Sequence, residues 1–189
     1  MSSLSISKEK AKPKRWPKRL VITCAVLVLV LVAAFLIYAS DYYHDLDTGG
    51  TFRVSTVKVS VEEGSNYLAF GDADAECGIV FYPGAKVEYG AYSPIMRKLA
   101  EEGYLCIIVQ MPFNFAFFDI GAAGPLIERY PRVSEWWIGG HSLGGSMAAN
   151  YAASHPDDFE GVIFLASYSV DDLSQTDLSV CSIYGSNDM

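Results

Sequence analysis

Trp136-Trp137-Ile138-Gly139-Gly140-His141-Ser142-Leu143-Gly144-Gly145 is the stretch on which the reading of this chain turns. It contains Gly140-His141-Ser142-Leu143-Gly144, a G-x-S-x-G pattern. The bulky apolar run Trp136 to Ile138 ahead of it reads as a buried strand. The run Ser146 to Ser154 after it reads as a helix. Strand, sharp turn and helix are the setting in which this pattern forms a nucleophile elbow. The serine then sits on strained backbone and its hydroxyl projects from the turn. Side chains two residues to either side would collide, so Gly140 and Gly144 leave the room. Ser142 is therefore the candidate nucleophile, with the Leu143 backbone N–H as one candidate oxyanion donor.

Working outward, the pattern is α/β. Gly78 to Tyr82, Leu105 to Val109, Glu135 to Ile138, Gly161 to Leu165 and Val180 to Tyr184 are short apolar runs, as buried parallel strands are. Between the first two, Tyr92, Ile95, Met96, Leu99 and Ala100 recur at helical spacing. Ser93 before Pro94 suits its N-cap, and Gly103 its stop. Met111 to Phe118 reads as an aromatic loop, divided evenly between core packing and an apolar acyl pocket. Asp119 is expected to cap a helix running to Tyr130. Phe52 to Val61 is β-rich with partial alternation and is expected to be an antiparallel edge strand, with Asn66 to Phe70 as its hairpin partner. Strands alternating with helices predict a doubly wound, mostly parallel sheet covered on both faces.

The N-terminus is different. Seven of the 14 basic residues lie before position 20, against the single Glu9, so the first 19 residues carry +6 and the remainder −14 of a net −8. An acidic body gives no footprint for nucleic acid. Leu20 to Ala39 is twenty residues without a charge, roughly 30 Å as a helix, enough for one hydrocarbon core. A cleaved signal peptide has a shorter apolar region and small residues before the cut, and Ile37-Tyr38-Ala39-Ser40 fits that poorly. The segments read as a basic cytoplasmic tail (1–19), a transmembrane anchor (20–39), a short stalk (40–50) and a catalytic-type domain (51–189) outside the cytoplasm. Cys24, Cys77, Cys106 and Cys181 are widely spaced without a C-x-x-C and read as small buried apolar residues. Nothing resembles a phosphate loop, a dinucleotide fingerprint or a zinc cluster, so no cofactor is expected.

Phe81-Tyr82-Pro83-Gly84-Ala85-Lys86-Val87-Glu88-Tyr89, Met111-Pro112-Phe113-Asn114, Gly140 to Gly145 and Tyr184-Gly185-Ser186-Asn187-Asp188 follow one another in the order of the α/β-hydrolase superfamily. From about Asp41 onward the chain resembles that superfamily, and most of all a bacterial, membrane-anchored branch related to the dienelactone-hydrolase-like group. The resemblance implies an ester-like or lactone-like small-molecule substrate. It implies a second oxyanion donor in the loop after the strand at 78–82, for which the Ala85 N–H is the best candidate, although the loop is not of the His-Gly-Gly-Gly type. It implies an acid after the strand at 180–184, in the Gly-x-x-Asp context of Asp188. Asp171 and Asp172 are the runners-up, better explained as turn or capping residues. The order Ser, Asp, His requires a base after Asp188, and no histidine follows before Met189. His141 should point away from the hydroxyl, His155 lies thirteen residues along, and His44 is in the stalk. The last strand and helix of the superfamily are also missing. The reading is a C-terminally truncated hydrolase, inactive as it stands, with a short non-catalytic binding module of the same fold as the alternative.

Overall fold

Five consecutive apolar runs with crossovers between them pair in parallel, and they build the sheet that carries the site. The computed structural model describes residues 17–47 and 50–186. The strands are β1 (Val61–Glu63), β2 (Tyr67–Phe70), β3 (Cys77–Tyr82), β4 (Leu105–Val109), β5 (Glu135–His141), β6 (Gly161–Leu165) and β7 (Ser179–Ile183). Their order is β1-β2-β4-β3-β5-β6-β7. β1 and β2 are antiparallel; β3 to β7 run parallel. The helices are α1 (Lys18–Ser40), α2 (Ser93–Glu101), α3 (Ala123–Arg129) and α4 (Leu143–Ser154). The expected doubly wound, mostly parallel sheet is present.

Strand alternation splits the core by face. On one side Val80, Ile107, Ile138, Val162 and Phe164 meet Ala148, Ala149 and Ala152 of α4. On the other, Ile79, Phe81, Cys106 and Ile108 meet Met96 and Ala100 of α2. The alanine stripe lets α4 lie close to the sheet, which seats the elbow at the helix start. Tyr82 is buried; its hydroxyl donates to the Ile120 carbonyl (2.7 Å) and accepts from the Ala123 N–H (2.9 Å), which ties β3 to the start of α3.

Several boundaries differ from expectation, each for a local reason. The strand expected over 52–61 is short: only Val61–Glu63 pairs, with β2. Upstream, buried Arg97 captures the chain instead, donating to the carbonyls of Phe52 (3.0 Å) and Val54 (2.7 Å) and to Thr56 Oγ1 (3.1 Å). Those carbonyls are satisfied by a guanidinium and need no ladder. Ser93 is not the cap of α2. A 3₁₀ turn, Tyr89–Tyr92, runs straight into the helix, so Tyr92 is helical and Ser93 Oγ is buried without a partner. A capping side chain needs extended backbone at its own position. Asp119 makes no side-chain cap either; a 3₁₀ turn at Ile120–Ala122 intervenes before α3. The elbow strand runs on to His141 and α4 begins at Leu143, so the turn is tighter than the sequence suggests.

The chain divides into a unit ending at Tyr38 and a second starting at Ala39. In the first, α1 is long and apolar enough to cross a membrane. The basic tail before Pro17 lies outside the described residues. In the second, residues 41–47 are not a free stalk: Tyr43 forms a parallel bridge with Val87, and Asp45 holds Arg53 at 2.6 Å. Of the four cysteines, Cys106 is buried and Cys77 half-buried, while Cys24 and Cys181 are exposed, so the expectation of burial holds for Cys106 alone. Burial pushes the Cys106 thiol up to about 12.

Candidate active site

The carboxyl ends of β3, β4, β5 and β6 share one edge of the sheet, and the backbone there is unusual. Five non-glycine residues among those described have positive φ: Lys86, Phe113, Asn114, Ser142 and Ala166. All five lie in the loops or the turn at that edge. Such strain is retained where the surroundings over-determine it, and it gathers at functional sites.

Ser142 joins β5 to α4 with φ 50° and ψ −125°, and it is exposed. Its N–H donates to the Leu165 carbonyl at 3.0 Å, and its carbonyl accepts from Ser146 N–H (3.3 Å) and Ser167 Oγ (2.6 Å). The backbone is pinned while the hydroxyl is left to solvent. The two flanking glycines are required. A Cβ on Gly140 would press on the backbone of Gly144 and Gly145, and one on Gly144 would overlap the carbonyls of Tyr82 and Pro83.

Those contacts also place the candidate oxyanion loop. Tyr82 is in register with Gly140, so Pro83-Gly84-Ala85 leaves β3 beside the elbow. The loop closes on itself and on its neighbour: Val87 N–H donates to the Gly84 carbonyl at 3.2 Å, and Lys86 N–H to the Asn114 carbonyl at 2.9 Å. Among the described residues, no acceptor is bonded to the Ala85 or Leu143 N–H. Leu143 is the first residue of a twelve-residue helix, whose free amides and dipole favour negative charge at that end. A cavity of about 250 Å³ opens between Ser142, Leu143, Ser146, Ala166, Ser167 and Tyr168.

Among the described residues, none of the candidate acids and bases is hydrogen-bonded to Ser142. Asp188 lies outside the described residues. Asp171 accepts from Asn150 Nδ2 at 3.0 Å, and Asp172 caps its own turn through the Ser174 N–H at 2.9 Å. The His141 ring turns toward Gly84 in the candidate oxyanion loop, with Nδ1 2.9 Å from the Tyr92 hydroxyl. His155 ends α4, bonded to the Tyr151 carbonyl and stacked on the Tyr151 ring. His44 lies 3.5 Å from Glu88. The aromatic loop is core in part: Met111, Phe115 and Ala116 are buried, while Phe113, Phe117 and Phe118 are exposed. Phe117 and Phe118 stack at 4.3 Å, and Phe113 meets Phe118 at 5.5 Å. Reading the motif alone misses Ser146, Ser167 and Tyr92. Only their spatial contact with the elbow reveals them.

A model of the alpha/beta hydrolase family matches residues 78–189. The chain belongs to this family. The match begins at β3 and takes in the candidate oxyanion loop, the turn at Ser142 and β7. No curated protein matches. Solved structures match at low identity. A predicted CIB-like hydrolase from Thermoplasma acidophilum is 17% identical with TM-score 0.52, over 68% of this chain and 75% of that one. A carboxylesterase of the thaumarchaeon Nitrososphaera gargenis is 21% identical with TM-score 0.48, over 60% and 44%. The 2-hydroxy-6-oxo-6-phenylhexa-2,4-dienoate hydrolase of Rhodococcus sp. strain RHA1 is 20% identical with TM-score 0.45, over 58% and 47%. The chain thus spans less than half of the last two. At 17% identity the likeness to the Thermoplasma hydrolase shows the fold alone.

Proposed function

We propose that the protein is a serine hydrolase of the esterase or lactonase type, from a membrane-anchored bacterial branch related to the dienelactone-hydrolase-like group. The observation that carries this reading is the strained, exposed Ser142 between β5 and α4, beside the loop after β3. The Ser142 hydroxyl adds to the carbonyl carbon of an ester or lactone, and its proton passes to a base. The carbonyl oxygen becomes an oxyanion, held by the N–H groups of Leu143 and Ala85. Collapse expels the alcohol, which takes the proton from the base and leaves an acyl-serine. Water then adds, and the carboxylate and the free hydroxyl are released. An alcohol in place of water makes the same site an acyltransferase.

The base in this reading is a histidine other than His44, His141 and His155, oriented by Asp188. His155 is about 20 Å along α4 from Ser142, and His141 is engaged by Tyr92. Leu20 to Ala39 anchors the protein in the cell membrane, with the basic tail in the cytoplasm and the hydrolase domain outside. The test is p-nitrophenyl ester hydrolysis by the native gene product. Activity abolished in Ser142→Ala supports the reading; activity untouched by that change refutes it. The 189-residue chain alone is expected to show little or no turnover, since none of its histidines serves Ser142.

That same placement of the histidines favours one alternative, a non-catalytic module that binds a ligand at the membrane surface. The codons after Met189 separate the two. A continuing frame that supplies a histidine supports the enzyme, and a stop codon supports the binding module.

A further inference from the structure

The hydrogen bonds around Gly84 form a chain that ends on the residue before Ser142. Gly84 N–H donates to the Tyr92 hydroxyl oxygen at 3.0 Å, and that oxygen lies 2.9 Å from His141 Nδ1. A phenol has one proton to give. Its oxygen accepts from Gly84, and its O–H is free to donate to Nδ1 in the His141 tautomer that carries its proton on Nε2. Burial holds the Tyr92 phenol above its ordinary pKa, so it remains a donor. The Tyr92 ring is fixed in turn against Phe81, with centroids 4.9 Å apart.

One peptide further on, the Gly84 carbonyl accepts from Val87 N–H at 3.2 Å. In a trans peptide the carbonyl and the following N–H point in opposite directions. Turning the Gly84 carbonyl toward Val87 therefore turns the Ala85 N–H away from it. Gly84 has no room for another side chain: a Cβ there would press on His141 Nδ1 and the Tyr92 hydroxyl.

We propose that Tyr92 and His141 are positioning residues, which hold the Gly84 peptide and so aim the Ala85 N–H at the oxyanion formed on attack by Ser142. This rests on Ser142 being the nucleophile. It gives the histidine of the Gly-His-Ser-Leu-Gly turn a task other than proton transfer. A donor contributes to an oxyanion hole only while it is aimed, so a loosened Gly84 peptide weakens the hole without touching substrate.

The test uses the full chain with Tyr92→Phe, which keeps the ring on Phe81, and with His141→Asn and His141→Gln. Asn places an acceptor where Nδ1 stands; Gln does not. Amide exchange at Gly84 is expected to speed up about tenfold in Tyr92→Phe and His141→Gln and to stay near wild type in His141→Asn. Unchanged exchange in Tyr92→Phe, or equal exchange in the two His141 variants, overturns the proposal. In the native gene product, Tyr92→Phe should lower the maximal rate of fluorophosphonate capture about tenfold at unchanged probe affinity. Capture at the wild-type rate also overturns it. If the wild type captures no probe, the nucleophile assignment fails, and the exchange measurements alone decide the role of Tyr92.

Discussion

The Tyr43 N–H donates to the Lys86 carbonyl at 2.7 Å, and the Glu88 N–H returns to the Tyr43 carbonyl at 2.8 Å. Residues shortly after the apolar helix are thus strand-paired with residues at the end of the loop that follows β3. Asp45 adds a bond from its N–H to Glu88 Oε2 at 2.9 Å. Tyr43→Pro removes the first of these donors. We expect amide exchange at Glu88 to rise several-fold, with the sheet amides of β4 and β5 unchanged. Unaltered exchange at Glu88 would show that the pairing contributes nothing to holding the loop.

Glu62 gathers three donors: Tyr67 Oη (2.6 Å), Arg129 Nη2 (2.7 Å) and Tyr130 Oη (3.1 Å). The Tyr67 hydrogen bond, followed by those of Arg129 and Tyr130, holds its carboxyl below the ordinary value of 4.5. A depressed carboxylate stabilises the fold above its unfolded pKa, and that contribution fades as pH falls through the folded one. Glu62→Gln should therefore lower the thermal midpoint near neutral pH, and the gap should close below about pH 4. The carboxyl is half-exposed, so raised salt should narrow the gap as well. A gap that widens in acid would contradict this.

Gly144→Ala puts a methyl group against the carbonyls of Tyr82, the last residue of β3, and of Pro83 just after it. Overpacking of this kind costs about 1–3 kcal/mol and sometimes more. Denaturant unfolding should show at least that loss. A variant as stable as wild type would mean the elbow is looser than described.

Ser142 is held at φ 50°, where glycine is at ease and serine is not. Ser142→Gly should raise unfolding stability by about 1 kcal/mol and abolish any covalent chemistry at the site. A loss of stability instead would mean that the hydroxyl, and not its reactivity, accounts for the residue.

The sheet and the elbow were legible because their signals are local. Each of β3 to β7 is an apolar run read directly from sequence, and the glycines at 140 and 144 state a steric need. Residues 52–60 misled because a distant side chain, Arg97, satisfies their carbonyls, and no pattern within the segment records that. Ser93 misled because its cap depends on the conformation of Tyr92 before it. Tyr92, Ser146 and Ser167 stayed hidden for the same reason: their partners are between 20 and 50 residues away in sequence. Asp188 is the one named site residue that falls outside the described structure.

The most direct measurement is mass-spectrometric mapping of a fluorophosphonate adduct on the native gene product. We expect a single modified peptide, with the phosphonyl group on Ser142, and no adduct in Ser142→Ala. An adduct that persists in that variant, or a wild-type protein that forms none, would contradict the assignment of Ser142 as nucleophile.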